Sequence, residues 1–251
     1  MPAPSVASEE QLLRQRSWLG ESWTWLLQSK VLGGKAPERV PTALDVGCGP
    51  GLVMELLSPY LDVQGIDIDP DMVAASNARG QRALVARAEE LPFEDGSFDL
   101  VYCSFLLLWT PDPVQVVSEM ARVSRDWVIC LAEPDHGGRI SYPPEINDLD
   151  ALFVKGLRKQ GADPEMGRKL QGVLSHCGLT PQMGVHPGMW EMGRMRAEAA
   201  EEWRSLAPFA GEVADAGTLS RIRKGWDEAA RTGSLIQYTP TFYAIASKKG
   251  K

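Results

Sequence analysis

The sequence predicts an α/β fold, a doubly wound and mainly parallel sheet with helices on both faces. Three observations carry this: apolar strand-like runs that alternate with helical patterns, a glycine turn that closes the first run, and a carboxylate that closes the second. The first run, Ala43-Leu44-Asp45-Val46, breaks into Gly47-Cys48-Gly49-Pro50-Gly51 and opens a helix over 52–57. Glycine has no Cβ, so glycines at alternate positions let the backbone turn sharply and bring its N–H groups close to a ligand. Twenty positions after Gly47, the second run Val63-Gln64-Gly65-Ile66-Asp67 ends in a side chain suited to accept hydrogen bonds from both hydroxyls of a ribose. Together the two runs predict a site for an adenosyl-type cofactor.

The remaining elements follow in order. Asp69 is an N-cap, Pro70 fits the first helical position and Gly80 ends that helix. Strands are expected over 83–87, 98–103 and 127–131, with a helix over 113–124 between the last two. The unbroken apolar run Val128-Ile129-Cys130-Leu131 suits a strand covered on both faces. His176 falls in the last turn of a helix, where a cation or polarised ring complements the dipole, and 179–185 and 241–247 supply two further strands.

Three stretches lie outside this frame. Leu12, Leu19, Trp23, Leu26 and Leu27 share one helical face near the N-terminus. Residues 133–163 are rich in turn formers and include Glu133-Pro134-Asp135-His136-Gly137-Gly138-Arg139. Residues 193–231 carry helical spacing twice, at Met195, Ala199, Trp203 and Leu206, then at Leu219, Ile222, Trp226 and Ala230. These stretches either cap the carboxyl ends of the strands, where ligands sit in open α/β sheets, or extend the core. Met189, Trp190 and Met192 suggest an apolar pocket. The expected organisation is one domain over 1–251: an N-terminal helical cap (1–38), a cofactor-binding core (39–132), and the rest of the sheet with insertions near 133–163 and 193–231.

Composition bounds the function. The 251 residues are 44% hydrophobic, enough for one sizeable α/β core. The net charge of −7, from 26 basic and 33 acidic side chains, does not suit a grip on a phosphate backbone, so nucleic acid is not expected as a partner. No apolar run approaches ~18 residues, so no membrane span is expected. The polar residues 1–11 lack the order of a secretion signal, and a cytoplasmic location is expected. Cys48, Cys103, Cys130 and Cys177 form no CxxC pair and are read as reduced, with no metal site.

Asp45-x-Gly47-x-Gly49-x-Gly51 overlaps the dinucleotide fingerprint but has Leu52 where that pattern needs its third glycine. It resembles instead the first motif of the class I S-adenosylmethionine-dependent methyltransferases. Gly65-Ile66-Asp67-Ile68-Asp69-Pro70, Ala88-Glu89-Glu90-Leu91-Pro92-Phe93 and Gly96-Ser97-Phe98-Asp99-Leu100-Val101 continue the resemblance in order, from about Arg39 to Leu131. Leu91-Pro92-Phe93 and the helical inserts are similar to the ubiquinone/menaquinone-biosynthesis-like branch. The resemblance implies a seven-stranded Rossmann-like sheet whose last strand inserts antiparallel between the fifth and sixth, and S-adenosyl-L-methionine as cofactor.

The resemblance also implies roles. Gly47, Gly49 and Gly51 pass close to the methionine and ribose, Asp45 reaches the amino group and Asp67 holds the ribose. Ile68 and Met72 sandwich the adenine, while Ala88 and Glu89 meet its edge. The family's usual aspartate before that alanine is Arg87 here, and a guanidinium cannot accept a hydrogen bond from the adenine amino group. Cys103 and Ser104 face the methionine and the transferred methyl. Phe105 and Trp109 either line the substrate side or pack in the core, with Tyr142 a further lining candidate.

The implied chemistry is in-line displacement of a methyl group from a sulfonium, accelerated by orientation and by exclusion of water. A base is optional. His136 is the first candidate, because it follows the fifth strand and histidine titrates near neutrality, and a turn histidine is the alternative reading. Glu133, Asp135 and Tyr142 stand behind it. Cys103-Ser104-Phe105-Leu106 replaces an Asn/Asp-Pro-Pro-Tyr/Phe motif, so amino methylation in that motif's manner is not expected. The expected activity is methyl transfer to a small-molecule acceptor such as a natural product, lipid or quinone-like compound. The alternatives are a protein or RNA acceptor, or a cofactor-binding partner protein without chemistry.

Overall fold

The computed structural model describes residues 9–33, 39–188 and 192–248. Met189 and Trp190, expected beside an apolar pocket, lie outside them, as do 1–8 and 34–38 of the expected N-terminal cap. Among the described residues the strands are β1 (Thr42–Val46), β2 (Asp62–Asp67), β3 (Ala83–Val85), β4 (Phe98–Ser104), β5 (Ser124–Pro134), β6 (Ile140–Tyr142), β7 (Gln182–Val185), β8 (Ile236–Tyr238) and β9 (Thr241–Ser247). Seven form one sheet in the order β3-β2-β1-β4-β5-β9-β7, and β6 pairs with β8 separately. The first five neighbours run parallel, while β9 lies antiparallel between β5 and β7, as the family resemblance implies.

The alternation of strand side chains divides the core in two. Leu44, Val46, Val101, Cys103, Val128 and Cys130 face α4 (Pro113–Val123) and α6 (Met166–His176). Ala43, Leu100, Tyr102, Ile129 and Ile245 face α1 (Glu9–Leu26), α2 (Leu52–Leu57) and α3 (Pro70–Ala78), where Trp23, Leu26 and Met54 are buried. Burial of each such large apolar side chain contributes about 1.5–3 kcal/mol. The α3 start is as the sequence predicts: the Asp69 carboxylate accepts from the Asp71 N–H at 2.9 Å, with Pro70 in the first turn.

The two helical inserts share an apolar core of their own. Leu149 and Phe153 on α5 (Asn147–Lys159), Leu206 and Ala210 on α7 (Met192–Gly211), and Ile222 and Trp226 on α8 (Ala216–Thr232) form a third apolar cluster. The Trp226 indole N–H donates to the Ala199 carbonyl at 2.9 Å, so this large ring is buried without an orphaned donor.

Several boundaries differ from expectation, and three of the differences have a reason in the local geometry. β3 stops at Val85 because its neighbour β2 ends at the paired Asp67, and Arg87 instead bridges Glu90. β5 runs on to Pro134 because β9 still pairs with it there, at Glu133↔Phe242 and Pro134↔Thr241. The insertion expected from 133 therefore begins beyond the strand, and contains β6 and α5 as well as turns. β7 begins only at Gln182, one residue beyond Pro181, which has no N–H to give a ladder.

Candidate active site

A cavity of about 600 Å³ opens at the carboxyl ends of β1, β2, β4 and β5, under a roof made by α1, α5 and α7. Its floor begins with the glycine turn. The Gly47 and Cys48 N–H groups both donate to the Ile66 carbonyl, at 2.9 and 2.8 Å, which swings the chain off β1. Gly47 has φ +75°, and an added Cβ there would lie 2.7 Å from the Leu106 side chain. Gly49, at φ +52°, has open space where its Cβ would be. A side chain is excluded at the first by packing and conformation, and at the second by conformation, leaving room above the backbone.

Two carboxylates flank this turn. Asp67 accepts from the Gly49 N–H at 2.8 Å and from the Asp69 N–H at 2.9 Å, so the turn and the β2 end are tied together. Asp45 is only 2% exposed and its Oδ2 has no hydrogen-bond partner. Burial pushes its pKa up to about 8; the adjacent Tyr102 hydroxyl opposes the shift and the Asp67 charge adds to it. Ile68, 58% exposed, and the half-buried Met72 also line the cavity, as does Ser104, whose buried Oγ has no partner.

The opposite wall is apolar. Phe105, Trp109, Phe153, Leu157, Pro208 and Phe209 line it. Phe105 and Trp109 thus line the cavity and also touch the core clusters. His136 joins this wall, with its ring edge-on to Phe153 at 5.0 Å and its Nδ1 buried without a partner. Desolvation and the nearby Arg139 charge push its pKa down to about 3. The ring is therefore neutral at physiological pH, which removes the near-neutral titration that made it a candidate base.

Several expected positions fall elsewhere. Gly51 forms the N-cap of α2 at φ +80° and lies behind the turn against Ser76. The Cys103 side chain is fully buried beside Cys130, in the core rather than the cavity. Ala88 packs against the core, and Glu89 pairs with Arg87 at 3.3 Å; neither lines the cavity. Tyr142 lies on β6 opposite Ile236, 51% exposed and outside the lining. Glu133 and Asp135 have structural partners: three backbone N–H groups for the former, and Arg168 with the Gly138 N–H for the latter.

The roof was not legible as such. Arg14, Gln15 and Arg16 of α1 face the cavity with Arg204 and Ser205 of α7, and Arg14 reaches Glu202 across the roof at 2.7 Å. The only sequence sign was the amphipathic spacing, which a helix covering a pocket shares with a helix covering a core.

A glycine turn between two carboxylates, set at the strand ends of this sheet and covered by an aromatic cap, defines a nucleotide-cofactor enzyme of the doubly wound α/β class. Comparison with known proteins gives the family. The profile of the methyltransferase domain family matches residues 44–131. A demethylmenaquinone methyltransferase from Bacillus cytotoxicus is 30% identical over 188 residues, 68% of this chain and 74% of its own length. A phosphatidylethanolamine N-methyltransferase from Cereibacter sphaeroides is 40% identical over 92 residues, covering 33% of this chain and 44% of its own. The crystal structure of geranyl diphosphate C-methyltransferase from Streptomyces coelicolor, with S-adenosyl-L-homocysteine among its ligands, shares the fold at a TM-score of 0.56 and 14% identity. That match covers 98% of this chain and 86% of the other. The chain belongs to the class I S-adenosylmethionine-dependent methyltransferases.

Proposed function

We propose that the cavity holds S-adenosylmethionine and that the enzyme methylates a small-molecule acceptor by in-line displacement. One observation carries the reading: five buried polar atoms with no partner in the protein, Arg14 Nε, Trp23 Nε1, Asp45 Oδ2, Ser104 Oγ and His136 Nδ1, belong to residues lining one cavity. A buried polar group left unmatched costs about 1–3 kcal/mol, so a ligand that meets any of them, Asp45, Ser104 and His136 at the strand ends above all, is favoured. The donor set fits the cofactor. Asp45 offers a carboxylate oxygen to an amino group, Asp67 offers one to a ribose, and the space above Gly49 admits the backbone approach. Ile68 and Met72 offer apolar faces to an adenine, and Ser104 stands at the methionine end.

When bound, S-adenosylmethionine supplies an electrophilic methyl group on a sulfonium. The protein's part is to bind, orient and dry the reactants, and orientation alone is worth up to ~7–11 kcal/mol. The aromatic wall excludes water and presses the acceptor towards the sheet. His136, neutral and with Nδ1 unmatched, hydrogen-bonds the acceptor rather than taking its proton at neutral pH. The apolar wall under the helical roof supports a small acceptor over a macromolecule, as do the relatives named for demethylmenaquinone and phosphatidylethanolamine.

Calorimetric titration with S-adenosylhomocysteine, with NADH as control, tests the cofactor assignment. One-to-one micromolar binding of the former alone is expected and justifies an acceptor screen; binding of NADH alone would sink the proposal.

A further inference from the structure

The turn after β4 is held by one side chain of the neighbouring strand. Phe105 has φ +53°, the one non-glycine residue with positive φ among the described residues, a conformation that L side chains disfavour. Its N–H donates to the Ala132 carbonyl at 2.7 Å. The next three N–H groups, of Leu106, Leu107 and Leu108, all donate to the Glu133 carboxylate, at 2.9, 2.8 and 3.3 Å. Glu133 is fully buried, and both its oxygens are engaged.

This carboxylate joins two walls of the cavity. The turn it holds presents Phe105, Leu106 and Trp109 to the cavity, and Leu106 fills the space left by the missing Cβ of Gly47. On its own strand, Pro134 follows immediately and His136 shortly after, both lining the cavity. We propose that Glu133 is a positioning residue for methyl transfer, which touches neither reactant but sets the distance between the acceptor wall and the cofactor turn. The proposal rests on the methyl-transfer reading of this cavity. In-line displacement is sensitive to sub-ångström placement, so a relaxed turn lowers the rate in a protein that still folds and still binds cofactor. A merely structural role would instead lower rate and cofactor affinity together.

The test is E133Q, which keeps the shape but turns one accepting oxygen into an NH2 group facing backbone N–H donors. Wild-type protein is first titrated with S-adenosylhomocysteine and assayed for methyl transfer; failure there overturns the methyl-transfer reading, whatever Glu133 does. Hydrogen exchange at 106–108 is then compared with exchange in β4. Wild-type protection equal to that of β4 is expected, with exchange at least tenfold faster in E133Q while β4 is unchanged. In steady state, kcat is expected to fall at least tenfold in E133Q, with the S-adenosylhomocysteine Kd and the S-adenosylmethionine KM within threefold and E133D intermediate. Unchanged kcat in folded E133Q, or a loss of kcat matched by an equal loss of cofactor affinity, overturns the proposal. Should E133Q not fold, E133D decides on the same two criteria.

Discussion

Asp45 is protonated in the free protein at neutral pH, because a carboxyl this deeply buried has its pKa pushed up to about 8. Binding an ammonium group requires the ionised form, so S-adenosylhomocysteine affinity is expected to rise with pH below 8, by about tenfold per unit, and to level off above it. D45N is expected to remove that slope and weaken binding at least thirtyfold; calorimetry at several pH values checks both, and a pH-independent wild type would contradict them. At His136 the sign is opposite. With its pKa pushed down to about 3, the residue contributes no inflection near 6.5 to the pH–rate profile. H136A is nevertheless expected to cut kcat at least tenfold with cofactor affinity retained, and unchanged turnover would remove it from the mechanism. That Asp45, Gly47 and Asp67 sit at strand ends, where the cavity opens, was legible because strand-end position is a local pattern. The protonation of His136 was not, since Phe153 and Arg139 create its surroundings only after folding. Ala88 and Glu89, expected at the adenine edge, do not line the cavity, and the residue already out of pattern, Arg87, pairs with Glu89 at 3.3 Å.

The cap depends on how closely its helices cross. Gly156 of α5 lies against α7, and a Cβ there would strike the Phe209 backbone carbonyl, a contact that no side-chain movement relieves. G156A is therefore expected to cost about 1–3 kcal/mol in denaturant unfolding, as overpacking does. Because Phe153 and Phe209 ride on these two helices and line the acceptor wall, the same substitution is expected to raise the acceptor KM at least fivefold with cofactor affinity unchanged. Equal loss of both would mean that cap and cofactor floor are not separable. The α7 and α8 helices were readable from their apolar spacing, and α8 shows the Asp215 N-cap and the Gly233 terminus at φ +78° that such helices need. That Gly156 marks a crossing was not readable, since a glycine within a helix has the same sequence signature whether or not another helix touches it. The roof is joined by Arg14–Glu202 and by the Trp18 indole donating to Glu198 at 3.0 Å; partly exposed contacts of this kind stabilise by little each.

Over the whole molecule, the buried acids set how stability responds to pH. Between pH 7 and 8 the folded His136 ring is neutral while the unfolded one still binds about a quarter of a proton at pH 7, so it opposes the trend by only about 0.1 kcal/mol. Asp45, at about 8, and Glu133, raised by burial to about 7 against the pull of its three N–H donors, keep protons that the unfolded chain has released. The folded state then binds more protons, and stability is expected to fall as pH rises through this window, by on the order of 1 kcal/mol per proton per pH unit. Denaturant unfolding at pH 7 and 8 checks this: D45N should remove most of the decline, and a flat wild type would show both acids already ionised. The sequence by itself determined the sheet, its antiparallel insertion by way of the family motifs, and the cofactor turn, because strand periodicity, glycine conformations and strand-end carboxylates are written in neighbouring residues. Only the tertiary structure decided that α1, α5 and α7 roof the cavity, that Tyr142 and Cys103 lie outside it, and that Glu133 ties its walls together. An apolar helix face or a buried carboxylate has the same pattern along the chain wherever it packs, and its partners come from segments far away in sequence.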